Sequence, residues 1–138
     1  MSQTSVEIIP KAGEISWNQL LATNSSAAAA FYSKLFGWQP ASFVPPGMPA
    51  GTVPFTLFKT DPQMMGGVAG MVQSQHPENP AQWIPYVVVD DLEAAVDKAV
   101  KLGATARVQA KSIGELGRIA VIQDPQGATI GLHEFMKQ

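Results

Sequence analysis

The sequence predicts an α+β domain built from two tandem βαβββ modules that are related by a pseudo-twofold axis. The first observation is an internal repeat, since residues 17–38 align without a gap on residues 83–104, an offset of 66. The second is a shared turn motif, DPQ, at residues 61–63 and again at 124–126. A repeat of this length indicates one supersecondary unit that is used twice.

We predict a single domain over residues 1–138, with modules at 13–73 and 83–135 and a polar, proline-containing linker at 74–82. The first module should contain a strand, a helix and three strands, at residues 14–22, 25–36, 38–44, 55–60 and 68–73. Asn24 is a suitable N-cap and Gly37 a usual residue after a helix end. Helical spacing predicts one buried stripe, made of Ala28, Phe31, Tyr32, Leu35 and Phe36.

The second module repeats this order. Asp90 is the expected N-cap of its helix, with Glu93 in the capping-box position and Gly103 at the helix end. The strands are expected at residues 83–89, 106–110, 118–123 and 128–135, and the last two are joined by a DPQG turn. The predicted buried residues of the helix are Leu92, Ala95, Val96, Ala99 and Leu102.

Composition and charge exclude several classes of protein. Of the 138 residues, 46% are hydrophobic and 14% charged, which is typical of a folded domain rather than a disordered one. The net charge of −2, with scattered Lys and Arg, argues against nucleic acid as a partner. The chain has no cysteine, so it has no disulfide and no thiolate metal site. With no long apolar run and no leader pattern, we expect a cytoplasmic protein without a membrane segment.

Several motifs together resemble one superfamily. They are WNQLLATN, AFYSKLFGW, VVVDDLEAAVDKAVKLGA and RIAVIQDPQGATIGL, and they lie between residues 13 and 135. This pattern resembles the vicinal oxygen chelate superfamily, which includes glyoxalase I, bleomycin-resistance proteins and extradiol dioxygenases. The resemblance implies a glyoxalase-like fold, but it does not select one activity, because the fold hosts several chemistries.

The resemblance also identifies four positions that hold metal ligands in the metal-dependent members. In this sequence those positions are Trp17, Gly70, Trp83 and Gly131. None of these side chains offers the imidazole nitrogen or carboxylate oxygen that a divalent ion needs in such a site. We therefore expect no metal and no other cofactor.

The same positions predict a ligand-binding cleft. Trp17 and Trp83 would form aromatic walls, and Gly70 and Gly131 would form floors that a flat ligand can approach. The edge of the cleft would carry two polar ligand-binding residues, Gln19 and His133. Both indoles are equally consistent with core packing. For His133, a hydrogen bond to a neighbouring residue is favoured over a role in ligand binding.

Two functions follow as hypotheses. The first is a bleomycin-resistance-like binding protein, a homodimer that holds a small aromatic or apolar molecule for sequestration or resistance. The second is a metal-dependent lyase, isomerase or dioxygenase of the same superfamily, with shifted ligands such as His133 and Glu134. The sequence assigns no catalytic residue, so it leaves open whether the chain is an enzyme.

Overall fold

The computed structural model describes residues 9–136, and within that range it contains two helices and eight strands. The predicted α+β class with two βαβββ modules is confirmed. The first module comprises β1 Ile15–Ala22, α1 Ser25–Phe36, β2 Gln39–Phe43, β3 Phe55–Lys59 and β4 Ala69–Gln73. The second comprises β5 Gln82–Val88, α2 Leu92–Lys101, β6 Thr105–Ser112, β7 Arg118–Gln123 and β8 Thr129–Glu134.

All eight strands form one sheet in the order β2-β3-β4-β1-β5-β8-β7-β6. Each module contributes four strands, and its first strand pairs in parallel with its last. The two first strands, β1 and β5, meet at the centre of the sheet and pair in antiparallel fashion. This symmetric order places the pseudo-twofold axis between β1 and β5.

The structural offset between the modules is 67 through the first strand and the start of the helix, not 66. The helix N-caps are Asn24 and Asp91, and Asp91 accepts a 3.1 Å hydrogen bond from the backbone nitrogen of Ala94. The prediction that Asp90 caps the second helix was therefore wrong. The gapless alignment concealed the shift because α2 has 10 residues and α1 has 12.

A shift of one residue matters in a strand because successive side chains point to opposite faces of the sheet. Leu20 lies opposite Trp83 in the β1–β5 pair, and Leu20 belongs to the core beneath α1. Trp17 lies opposite Tyr86, and both pack on the other face of the sheet. The two tryptophans that the alignment equates are therefore on opposite faces.

The core under α1 combines small, aliphatic and aromatic side chains with one methionine. Its buried residues are Leu20, Ala22, Phe58, Ala69 and Met71. From the helix, Ala28, Ala29 and Tyr32 pack against them. The predicted stripe was wrong for three bulky residues, since Phe31, Leu35 and Phe36 are 57%, 58% and 57% exposed. The sheet covers the alanine side of the helix and the Tyr32 ring, which leaves these larger side chains outside the contact.

The core under α2 is more fully buried. Leu92 and Ala120 are 0% exposed, and they pack with Ile122 and Leu132. The helical residues Val96 and Ala99 also pack against this core. The prediction that Leu102 is buried was wrong, because this residue is 69% exposed. It lies beyond the last helical residue, so the helical spacing no longer directs its side chain to the sheet.

Within residues 9–136, no helix has both the length and the apolar character that a membrane span requires.

The two leucines at the ends of α2 provide a test of this packing. Leu92→Ala should lower the free energy of unfolding by about 2–5 kcal/mol, because it opens a cavity in a closed core. Leu102→Ala should change it by no more than about 0.5 kcal/mol, as expected of an exposed residue. Urea unfolding of both variants measures the difference, and equal losses would contradict the burial described here.

Candidate functional site

The candidate site lies on the face of the sheet that carries no helix, which we call the helix-free face. A hydrophobic cluster covers it, with Ile84, Tyr86 and Val121 as its buried members. Side chains from β1, β6 and β7 complete the cluster, and these are Trp17, Leu21, Val108 and Ile119. Of the predicted ligand-binding residues, the structure places Trp17, Gln19, Gly70, Gly131 and His133 on this face.

Trp17 lies against Gly70, which belongs to the neighbouring strand β4. A Cβ atom added to Gly70 would lie 2.9 Å from Trp17 Nε1 and would overlap the side-chain oxygen of Gln19. The indole Nε1 donates a 2.7 Å hydrogen bond to that same oxygen. The missing side chain at Gly70 therefore makes room for a fixed Trp17–Gln19 pair.

The second module repeats this arrangement with a different ring. Tyr86 pairs with Gly131 on β8, and a Cβ atom added to Gly131 would overlap three atoms of the Tyr86 ring. Each glycine thus lies under an aromatic side chain of the protein itself. The expectation that the glycines form an open floor for a ligand was wrong, because Trp17 and Tyr86 already cover them.

The structure places Trp83 outside this site. Its indole Nε1 donates a 3.1 Å hydrogen bond to the hydroxyl of Tyr32 on α1. Its ring also packs edge-to-face on Tyr32 and Trp38, with centroid distances of 5.5 and 6.4 Å. The prediction that Trp17 and Trp83 are two walls of one cleft was wrong, and Tyr86 takes the place that we assigned to Trp83.

His133 is buried at the end of β8, and both of its ring nitrogens are engaged. Nε2 lies 2.7 Å from the carbonyl oxygen of Leu116, and Nδ1 lies 2.9 Å from the hydroxyl oxygen of Ser16. A carbonyl can only accept, so Nε2 carries the proton and Nδ1 accepts from the Ser16 hydroxyl. Ser16 reaches this face because the β1–β5 register shifts between Ile15 and Trp17.

Burial lowers the pKa of His133 from its ordinary value of 6.5, and the hydrogen bond to the Leu116 carbonyl opposes this effect only in part. The imidazole is therefore neutral near pH 7. Because both nitrogens are engaged, His133 fixes the loop that carries Leu116 to strand β1. The geometry does not present it as a free base.

The shifted metal ligands do not come together. His133 and Glu134 are consecutive residues of a strand, so their side chains point to opposite faces. Glu134 accepts a 2.7 Å hydrogen bond from the backbone nitrogen of Leu92, and it also binds Arg118 at 3.1 Å. Glu134 therefore caps the first turn of α2 and does not point to the helix-free face.

A group of three carboxylates, from Asp91, Glu93 and Glu134, lies at the start of α2. Two of its members are engaged by the guanidinium of Arg118, which contacts Glu93 at 2.6 Å. Hydrogen bonds to Glu93, and secondarily to Glu134, raise the pKa of Arg118. The positive charge is therefore permanent, and it balances this acidic group.

The Tyr86 hydroxyl has a different environment from the other polar groups of the site. Tyr86 is 8% exposed, yet no residue between 9 and 136 forms a hydrogen bond with its hydroxyl. No buried side-chain nitrogen or oxygen in this range lacks a partner, so the hydroxyl is a part of the residue that reaches the surface. Burial raises the pKa of Tyr86 to about 12. The phenol is therefore a neutral hydrogen-bond donor at all physiological pH values.

A strap across the sheet links its two outer edges. The loop at residues 44–54, between β2 and β3, meets the 3₁₀ turn Gly114–Leu116, between β6 and β7. The backbone nitrogen of Glu115 donates a 2.7 Å hydrogen bond to the carbonyl of Pro46, and a Cβ atom at Gly114 would overlap the same carbonyl. Leu116 of this turn binds His133 on β8, so the strap is held to the helix-free face of the sheet.

Two βαβββ modules joined through their first strands, with a helix-free face between them, define the vicinal oxygen chelate class. The chain belongs to the glyoxalase-like domain family, because the model of that family matches residues 18–133.

Relatives of this chain include proteins about twice its length. CFP32 of Mycobacterium tuberculosis, which carries a glyoxylase name, is 34% identical over 120 residues, covering 87% of this chain and 45% of CFP32. The anthracycline biosynthesis protein DnrV of Streptomyces peucetius is 30% identical over 132 residues, covering 87% of this chain and 46% of DnrV. The chain thus spans less than half the length of these two relatives.

Solved structures show the same fold. Methylmalonyl-CoA epimerase from Mycobacterium tuberculosis superposes with a TM-score of 0.55, covering 94% of each chain at 15% sequence identity. At this identity the similarity establishes the architecture, and the activity of the epimerase is not transferred with it.

The buried imidazole predicts a pH dependence of stability. Because its pKa is lowered in the folded chain, the unfolded chain binds a proton at His133 more readily below about pH 6.5. The free energy of unfolding should therefore fall as the pH decreases through 6.5, by at most about 1.4 kcal/mol per pH unit. Denaturant unfolding of wild type and His133→Gln measures this, and the variant should have a smaller slope. An identical slope in both proteins would contradict the assignment.

Proposed function

We propose that this chain binds a small, planar and mostly apolar organic molecule on the helix-free face, without a metal ion. The supporting observation is the pair of aromatic rings, Trp17 and Tyr86, that lie on adjacent strands over Gly70 and Gly131. Rings of this kind offer a large apolar surface with a π face for stacking. Sequestration of a toxic or reactive compound, as in bleomycin-resistance proteins, is the use we propose.

The chemistry of this face supports binding without a metal. The described residues that point to it include one potential metal-ligating side chain, His133, and both of its nitrogens are already engaged. The position that corresponds to Trp17 in the second module is held by Ile84 once the offset of 67 is applied. Neither residue type coordinates a divalent ion.

The relatives suggest which molecules to test first. DnrV is named for anthracycline biosynthesis, and it shares 30% of its residues with this chain over the matched segment. We propose that polycyclic aromatic compounds, anthracyclines among them, are ligands of this chain.

The two indoles allow a matched test of the site. Trp17→Ala should weaken ligand binding several-fold or more, since aromatic stacking contributes about 0.5–1.5 kcal/mol beyond area burial. Trp83→Phe should leave the affinity unchanged, because that ring packs on α1 across the sheet. Quenching of tryptophan emission by an anthracycline measures both affinities.

Circular dichroism of both variants verifies that they remain folded, and a chelator-treated sample tests whether a metal is needed. Binding that is lost in Trp83→Phe but kept in Trp17→Ala would place the ligand elsewhere. Binding that disappears after chelation would refute the metal-free proposal.

The cytoplasmic location stays a prediction.

The homodimer also stays a prediction, and we propose α1 as its contact surface. Phe31, Leu35 and Phe36 are each more than half exposed, and Trp83 beside them is 37% exposed. An apolar patch of this kind is typical of a contact between protein copies, and a second copy would present the same patch in return.

Sedimentation velocity tests this contact surface. Leu35→Glu should convert a dimer to a monomer, because the new charge would be buried in the contact. Val100→Glu is the matched control, since Val100 is an exposed apolar residue on the other helix, at 49% against 58% for Leu35. A monomeric wild-type chain, or a Leu35→Glu variant that remains dimeric, would rule out the proposed contact.

A further inference from the structure

We infer that Gln19 is a positioning residue of the ligand site, whose side-chain oxygen fixes the Trp17 indole in the orientation on which a planar ligand stacks. This inference rests on the proposed function. It gives Gln19 a different role from the direct ligand contact that the sequence predicted. It also means that the indole offers a ligand its ring surface and not its N–H group.

A hydrogen bond within β1 uses the only polar group of the indole. Trp17 and Gln19 are two residues apart on the strand, so their side chains lie on the same face of the sheet. Trp17 Nε1 donates to the Gln19 side-chain oxygen at 2.7 Å. An indole has one N–H donor and no acceptor. A ligand could therefore bond to this nitrogen only by displacing Gln19.

Gly70 holds the same edge of the ring from the neighbouring strand. It is the direct partner of Gln19 in the parallel pairing of β1 with β4. A Cβ atom at Gly70 would lie 2.9 Å from Nε1 and 3.1 Å from Cζ2 of Trp17, and it would overlap the Gln19 oxygen. The indole edge and the amide thus share the space that any other residue at position 70 would fill, which restricts rotation of the ring.

The rest of the indole is available to a ligand. Trp17 packs against the buried residues Ile84 and Tyr86, yet it is itself only half-buried. A side chain that is ordered only when a ligand binds weakens the binding by about two- to tenfold, because its lost freedom opposes association. Gln19 avoids this loss by ordering the ring before the ligand arrives.

The second module has no counterpart of this pair. With the offset of 67, Ile84 corresponds to Trp17, and Tyr86 corresponds to Gln19. Tyr86 reaches its own glycine, Gly131, without a polar neighbour from the same strand. A glutamine at position 19 is therefore not required by the repeated fold, and its contact with Trp17 is specific to the first module.

Nuclear magnetic resonance tests the hydrogen bond without any ligand. The chain has three tryptophans, and Trp17→Phe identifies the indole N–H signal of Trp17 among the three. This N–H should exchange slowly with water in the wild-type chain. Gln19→Leu should accelerate its exchange several-fold or more, because leucine offers no acceptor. Gln19→Glu should keep the exchange slow, because an ionised carboxylate accepts the same bond. The signals of Trp38 and Trp83 should stay unchanged and verify that the variants remain folded.

Fluorescence polarisation then measures the affinity for acridone, a neutral, planar and fluorescent probe. Gln19→Leu should weaken binding about two- to tenfold, the expected effect of ordering one side chain. Gln19→Glu should bind as wild type does. Asn18→Leu is the matched control, since it makes the same kind of change at an exposed neighbour whose side chain points to the opposite face, and it should leave the affinity unchanged.

Gly70→Ala tests the same contact from β4. The added methyl group meets the ends of the Gln19 and Trp17 side chains, so it should displace both from their present positions. We expect faster exchange of the Trp17 N–H and a loss of acridone affinity similar to that of Gln19→Leu. Exchange and affinity that both match the wild-type values would contradict the tight contact at Gly70 on which the inference depends.

The remaining outcomes separate the inference from the proposed function. If Gln19→Leu accelerates exchange but binds acridone as tightly as wild type, the orientation of the ring does not matter and the inference fails while the binding site stands. If Gln19→Glu keeps slow exchange but loses as much affinity as Gln19→Leu, the ligand contacts the amide nitrogen directly, which also overturns the inference. If the wild-type chain does not bind acridone although its Trp17 N–H exchanges slowly, the proposed function fails and the ligand role of Gln19 fails with it.

Discussion

The antiparallel pairing of β1 with β5 is the constraint on which the rest of the structure depends. It joins the two modules into one sheet, and its register decides which side chains reach the helices and which reach the opposite face. Leu20 and Trp83 go to the helix side, whereas Trp17 and Tyr86 go to the helix-free side. A different register by one residue would exchange these sets and bury the wrong half of each strand.

The sequence was sufficient to predict the architecture but not the composition of the site. The repeat and the DPQ turns predicted both modules, because a repeated pattern constrains every element at once. The gapless alignment failed at one residue, since nothing in it favoured Asp91 over Asp90 as the helix cap. That single shift placed Trp83 on the wrong face and concealed Tyr86. Which of two adjacent aspartates caps the helix depends on the backbone geometry at the start of the helix, and this geometry cannot be read from the sequence.

Contacts within the protein itself explain why Gly70, Gly131 and His133 have roles that the sequence did not predict. Glycine at positions 70 and 131 was predicted to admit a ligand, but it accommodates the protein's own rings. His133, the one candidate base, ties the strap to the centre of the sheet through Leu116 and Ser16. The pattern of apolar residues predicted the burial of Leu92 but not the exposure of Phe31 and Leu35. The partners of His133 come from β1 and a distant turn, and only the folded chain brings them together.

The central claim is that Trp17 and Trp83 lie on opposite faces of one sheet, and nuclear Overhauser contacts of the three indole rings test it most directly. We expect contacts from the Trp83 indole to the rings of Tyr32 and Trp38, and from the Trp17 indole to the α-protons of Gly70. Direct contacts between the Trp17 and Trp83 indoles, with none from Trp83 to Tyr32, would contradict it.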